Sequence, residues 1–176
     1  MSTEPFLDLA ARELARYKGL ADRAMAQVSD EQFFEALSPI DNSIAIVVKH
    51  IAGNARSRWT DFLTSDGEKP DRHRDTEFEL AGANSREQLM AAWEEGWRLL
   101  FEAIAPLGAA DLDRTVTIRG EGLSVRQAIG RQMTHYAYHV GQIVYVARHL
   151  AGDRWTSLSI PKGQSEAFNS RPATYV

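Results

Sequence analysis

The stretch THYAYHVGQIVYVARHL, residues 134–150, decides the fold. It sets His135 and His139 four positions apart inside a run of Tyr, Val, Ile and Leu. Taken with Val125, Ala128, Ile129, Gln132, Tyr136, Ile143, Val146 and Leu150, both imidazoles fall on the apolar face of one helix. That helix opens at SVRQ (Ser124–Gln127) and runs to about Leu150, with Gly152 beyond its end. At a rise of 1.5 Å per residue the two rings sit about 6 Å apart along the axis. Two ring nitrogens at that spacing can meet one ion at the roughly 2.0–2.1 Å bonds that zinc makes. A single His on an apolar helix face is ordinarily a hydrogen-bonded core residue. Two of them plus a third enclosed His would each need a partner, and one divalent ion serves all three.

Working outward, three more segments carry helical periodicity. The first, about residues 4–27, spaces Phe6, Leu9, Ala10, Leu14, Tyr17, Leu20, Ala21 and Ala24 by three and four. A short helical piece follows SDEQ (Ser29–Gln32), which has capping-box chemistry. The second long segment runs from Asp41–Ser43 through Ile44, Val47, Val48, Ile51, Ala55, Trp59 and Phe62, apolar nearly all round at its start. His50 lies in its middle, so it is the best third ligand; His73 and His149 read as solvated. The third opens at SREQ (Ser85–Gln88) and continues to Ile104, where Pro106 and Gly108 stop it. The expected architecture is all-α: a four-helix bundle with one long crossover, residues 64–84, between the second and third long helices. Residues 113–124, DRTVTIRGEGLS, read as a short strand or hairpin arm before the last helix. Residues 153–176 have no helical period and read as an extended C-terminal tail of a single domain spanning 1–176.

Bulk properties narrow the function. A chain of 176 residues supports one buried core and is short for two domains. The formal charge of −4 argues against a nucleic-acid footprint, and no apolar run approaches the roughly 20 residues of a membrane span. The amphipathic N-terminus reads as a helix rather than a signal peptide, and with no cysteines the cytoplasm is the expected compartment. The absence of cysteine also removes thiolate ligands, so a three-His site would lack the usual means of closing a structural zinc centre. Asn54, Gln132 and Tyr136 neighbour the three His and could support a metal or merely satisfy one another. Arg58 and Arg56 are candidates for orienting an anionic substrate, against the commoner role of a solvated or ion-paired arginine. Asp61, about 16 Å along the helix from His50, is too distant to touch an ion. Glu77 and Glu79 could fold back over the pocket, but a solvated connection is the preferred reading. Trp59, Trp93 and Trp97 read as core.

The segments IVVKHIAGNARSRWTDFLTSDGEKPDRHRDTEFE (46–79) and HYAYHVGQI (135–143) resemble the DinB-like superfamily, which includes YfiT-type proteins. The likeness is closest to a bacterial branch whose chemistry is not assigned, and it reaches from the first helix to IPKGQSEAFN (160–169). It implies a four-helix bundle holding a divalent metal through one His of the second long helix and two of the last. Those roles fall on His50, His135 and His139. Relatives of this kind include thiol-dependent S-transferases and a mycothiol-dependent isomerase. The expected function is therefore a divalent-metal-dependent enzyme, a hydrolase or a low-molecular-weight-thiol S-transferase, with an open coordination position. Zinc or nickel is the expected ion, and a small molecule such as a thiol the expected substrate. A homodimer is expected because the apolar tail residues Trp155, Leu158, Ile160 and Phe168 need cover. The alternative is a non-catalytic, metal-binding or structural dimeric bundle.

Overall fold

The computed structural model describes residues 5–80 and 85–170. Helix α1 spans Pro5–Met25, α2 Asp30–Phe34, α3 Ile44–Trp59, α4 Arg86–Ile104, α5 Val125–Ala151 and α6 Ser165–Asn169. A two-stranded antiparallel sheet, β1 Thr115–Ile118 and β2 Glu121–Ser124, precedes α5. The long helices form the bundle: α3 packs on α4, α1 on α5, α5 also on α3, and α1 on α4. The all-α bundle with one long crossover and a hairpin before the last helix is thus the observed fold.

Local chemistry sets the boundaries. Ser29, Ser85 and Ser124 cap α2, α4 and α5 with reciprocal capping boxes to Gln32, Gln88 and Gln127. The second long helix starts at Ile44, where its apolar pattern starts, and ends at Trp59, short of Phe62. Ser43 caps it by accepting from Ile46 N at 3.3 Å, and the backbone turns out of the helix at Thr60 and Asp61. The close fit of α3 to α4 requires Gly96, since a Cβ there would lie 3.0 Å from Ala55 Cβ. Trp93 and Trp97 fill the centre with no more than 2% exposure, and Trp97 reaches across to Tyr136 at a ring separation of 5.4 Å.

The hairpin turn uses two residues, Arg119 and Gly120, with φ of 57° and 75°. Positive φ at both positions matches the twist of the flanking strands and is costly for Arg119. Asp66 compensates from the crossover, accepting from Arg119 N and Gly120 N at 2.8 Å each and from Glu68 N at 2.7 Å. Gly67 N donates to Thr117 O at 2.8 Å, so the start of the crossover is fastened along the hairpin.

The C-terminal segment, expected as an extended tail from residue 153, carries two short helical pieces among its described residues. A 3₁₀ turn covers Gly152–Arg154, and α6 closes one helical turn after Gln164 N donates to Pro161 O at 3.0 Å. Trp155 and Leu158 pack on the core, while residues 171–176 lie outside the described part. Among the described residues, no helix is long and apolar enough to cross a membrane.

Candidate metal centre

His50 comes from the middle of α3, His135 and His139 from successive turns of α5. Their rings converge: centroids are 5.4 Å apart for His50–His135, 4.8 Å for His50–His139 and 4.7 Å for His135–His139. One ligand atom from each lies within 4.8 Å of the others. His50 Nε2 and His135 Nε2 are 3.3 Å apart. That is the nitrogen–nitrogen edge, about 3.3 Å, of a tetrahedral ion with bonds near 2.0–2.1 Å.

Hydrogen bonds orient two of the rings. His50 Nδ1 lies 2.8 Å from Glu77 Oε2, and a carboxylate only accepts, so Nδ1 carries the proton and Nε2 offers its lone pair inward. His139 Nδ1 donates to Gln142 Oε1 at 2.8 Å and likewise frees Nε2. His139 Nε2 and His135 Nδ1 are buried without a hydrogen-bond partner among the described residues. A proton on His135 Nε2 shared with His50 would satisfy that one contact and leave both orphans unpaired. Each such buried orphan costs about 1–3 kcal/mol, and a cation bound at the three Nε2 atoms removes the deficit at His139 Nε2. Burial, with repulsion from the neighbouring imidazoles, pushes His135 down to about 3; burial, opposed in part by Gln142, pushes His139 down to about 4. Both are therefore neutral near pH 7, the protonation state that a ligand needs.

Glu77 is the residue that sequence reasoning placed wrongly. The solvated connection preferred for it is not observed: Glu77 is 6% exposed and sits behind His50. Arg72 grips the same carboxylate with two bonds, Nε at 2.8 Å and Nη2 at 2.9 Å. Burial disfavours the charged carboxylate, yet hydrogen bonds from His50 and Arg72 outweigh it and hold Glu77 below the ordinary glutamate range. The crossover is held in place by Lys49, whose Nζ donates to Thr76 O at 2.8 Å and Glu79 O at 2.7 Å. Space for Glu77 comes from Gly53, one turn after His50: a Cβ there would collide with its carboxylate oxygen and lie 2.9 Å from Cδ. Gly53 was the available signal, a small residue on the ligand's own face. Gln142, three positions after His139, was legible only as part of the H-x3-H-x-G-Q-I block.

The other candidates sort by their contacts. Tyr136 is fully buried, donates to Asn54 Oδ1 at 3.1 Å and accepts from Trp59 Nε1 at 3.0 Å. Burial raises its pKa, so it stays a neutral phenol. Asn54 and Gln132 line a cavity of about 160 Å³ that opens on His50 and His135. Arg58 lines it too, but it is 6% exposed and committed to Glu68 at 3.0 Å and to Gly67 O. Arg56 points away, paired with Asp71 at 2.6 Å between two exposed side chains. His73 and His149 are exposed and apart from the cluster, and Trp59 is core as expected. Asp61 is exposed at the end of α3.

Residues 1–164 match the model of the family described as "Protein of unknown function (DUF1572)", and the chain therefore belongs to that family. This is a DinB-like family, in agreement with the resemblance carried by residues 46–79 and 135–143. No curated protein is significantly similar to the chain.

Proposed function

As the reading for this member of the DUF1572 family, we propose a divalent-metal-dependent enzyme of hydrolase or low-molecular-weight-thiol S-transferase type. His50, His135 and His139 are the ligands, and zinc or nickel is the ion that imidazole donors suit. The relation to YfiT-type members of the DinB-like group belongs to the same proposal. What carries it is the convergence of three imidazoles, with His139 Nε2 buried and unpartnered, beside a cavity that His50 and His135 line.

Three neutral ligands and no cysteine give a donor set typical of an open site rather than a closed structural one. When bound, the ion supplies a Lewis acid that activates a water or thiol nucleophile. The chain's own groups do the rest. Glu77 fixes the His50 tautomer and Gln142 that of His139, so both lone pairs face one point without reorganisation. Arg58 and Arg72, each held by carboxylates, form a fixed polar wall of the cavity.

The test begins with elemental analysis of reconstituted protein. About one equivalent of divalent ion is expected; less than a tenth of an equivalent ends the proposal. His50→Ala, His135→Ala and His139→Ala should each lose the ion, while His73→Ala and His149→Ala retain it. A cobalt-substituted sample should change its visible spectrum when a small thiol or imidazole is added. An unresponsive spectrum with full occupancy would favour the non-catalytic bundle.

A further inference from the structure

The cavity that opens on His50 and His135 is also lined by Arg58, Arg72, Arg74, Arg119 and Arg131. Among the described residues two buried or half-buried carboxylates face this set. Glu68 bonds Arg58 at 3.0 Å and Arg72 and Arg119 at 3.2 Å each, and Glu77 is shared between Arg72 and His50. These two acids occupy the inner arginines, Arg58 and Arg72, whose side chains are 7% and 5% exposed. The rim is left in surplus. Among the described residues Arg131 forms no ion pair, and Arg74 has only the exposed Asp75 at 3.7 Å.

The rim arginines are also placed. Arg74 lies over the Phe78 ring at 4.9 Å, and Phe78 in turn packs on His50 at 4.8 Å, which stacks the guanidinium above a ligand ring. Arg131 stands one turn before His135 on α5 and faces the same cavity. A surplus of guanidinium donors around a concave site, with a cation beside it, has one chemical complement. Guanidinium matches carboxylate and phosphate in planar, two-pronged hydrogen bonding. The walls concentrate field in the cleft and draw anions toward it.

Resting on the metal-site reading above, we propose that the substrate of this site carries an oxyanion group, carboxylate or phosphate, held by Arg74 and Arg131 beside the three-His centre. Arg119 adds a third donor at the hairpin tip. The cavity volume of about 160 Å³ sets the scale. It equals roughly five water volumes, which admits a small organic acid or the anionic end of a longer molecule and excludes a large apolar ligand.

The experiment titrates zinc-reconstituted protein with inorganic phosphate, with malonate and with neutral malonamide by calorimetry in low-chloride buffer. Zinc content is measured on the same samples. Phosphate, malonate or both should bind and weaken as salt rises, while malonamide should not. Phosphate alone binding assigns a phosphate group, and malonate alone a carboxylate. The Arg74→Gln, Arg131→Gln double variant should lose at least tenfold in anion affinity with zinc content unchanged. Its sites are exposed, so its melting point should match the parent. Arg119→Asn should weaken the anion by a few-fold while keeping the turn, because Asn-Gly favours this hairpin geometry. Fully metallated protein that binds neither anion below 10 mM overturns the proposal, as does binding indifferent to the double variant. A protein that takes no zinc but binds anions through Arg74 and Arg131 overturns the metal reading and leaves the anion pocket standing.

Discussion

Replacing Gly53 by Ala should reverse the ordinary sign of a helix substitution. Gly→Ala inside an α-helix normally stabilises by about 1 kcal/mol. At Gly53 the new methyl would meet the Glu77 carboxylate, with Cδ at 2.9 Å and Cγ at 3.2 Å. Glu77 must move, and it cannot move without leaving His50 Nδ1 or the two Arg72 nitrogens, all at 2.8–2.9 Å. Hydrogen bonds to charged groups contribute about 1.5–3 kcal/mol each, so losing one or two of the three outweighs the helix gain. The net loss is about 0.5–5 kcal/mol, or a melting temperature lower by roughly 1–20 °C for a chain of this size. Gly19 in α1 is the control, because a Cβ there meets nothing within 4 Å. Gly19→Ala should raise the melting temperature by about 2–4 °C. Metal affinity gives an independent readout: freeing the His50 ring should weaken it about 10–100-fold, while Gly19→Ala leaves it unchanged. The two Gly53 and Glu77 effects should not add. Once Glu77→Gln has removed the charge-assisted bonds, Gly53→Ala has little left to disrupt. If Gly53→Ala stabilises like Gly19→Ala and holds metal as tightly as the parent, Glu77 does not stand behind His50 and the account of the site is wrong.

Other expectations follow from single contacts. Tyr136→Phe leaves Trp59 Nε1 and Asn54 Oδ1 without their shared hydroxyl and should cost about 1–3 kcal/mol by denaturant unfolding. Metal content should not change, since the hydroxyl is engaged away from the rings; loss of metal would assign Tyr136 to the centre. Asp66 is held down to about 2, first by the backbone N–H groups of Glu68 and Gly120, against an ordinary 3.8. Its contribution is fully present above pH 3.8 and is lost as pH falls toward about 2. Asp66→Asn should therefore flatten the acid limb of the stability curve in that window, and an unchanged limb would mean the hairpin clamp is absent in solution. Glu77→Gln keeps volume but removes charge, and elemental analysis should show zinc retained less tightly than in the parent without loss of the fold.

How much of this was legible depended on whether the signal was local. Helix periodicity and three Ser-x-x-Gln boxes are statements about neighbours three and four apart, so Ser29, Ser85 and Ser124 could be read directly. His135 and His139 share a face for the same reason. His50 could be chosen because its surroundings in α3 are apolar on nearly every side. The partners of that centre were not local. Glu77 stands 27 residues from His50, in a segment whose charged composition reads as solvated. Nothing in its immediate neighbours announces that Lys49 holds the backbone on both sides of it or that Gly53 clears a place for it. The charges of the crossover misled because acids and bases were read one at a time. Asp66, Glu68, Arg72 and Glu77 are instead one connected set that ties the crossover to α3 and to the hairpin tip.

That network also bears on the proposed metal site, where an arginine-walled cavity and a cation would lie side by side. Three imidazoles bring no negative charge, so compensation must come from groups that do not touch the ion. Glu77 does this through the His50 ring, and its simultaneous grip on Arg72 keeps the carboxylate from swinging inward to become a ligand itself. Glu68 neutralises the inner arginines in the same indirect way. The acids are thus spent on the walls, and the rim guanidiniums of Arg74 and Arg131 remain for whatever enters. On the proposed reading the charge is displaced outward, away from the rings and toward the opening, where an incoming anion would complete the balance.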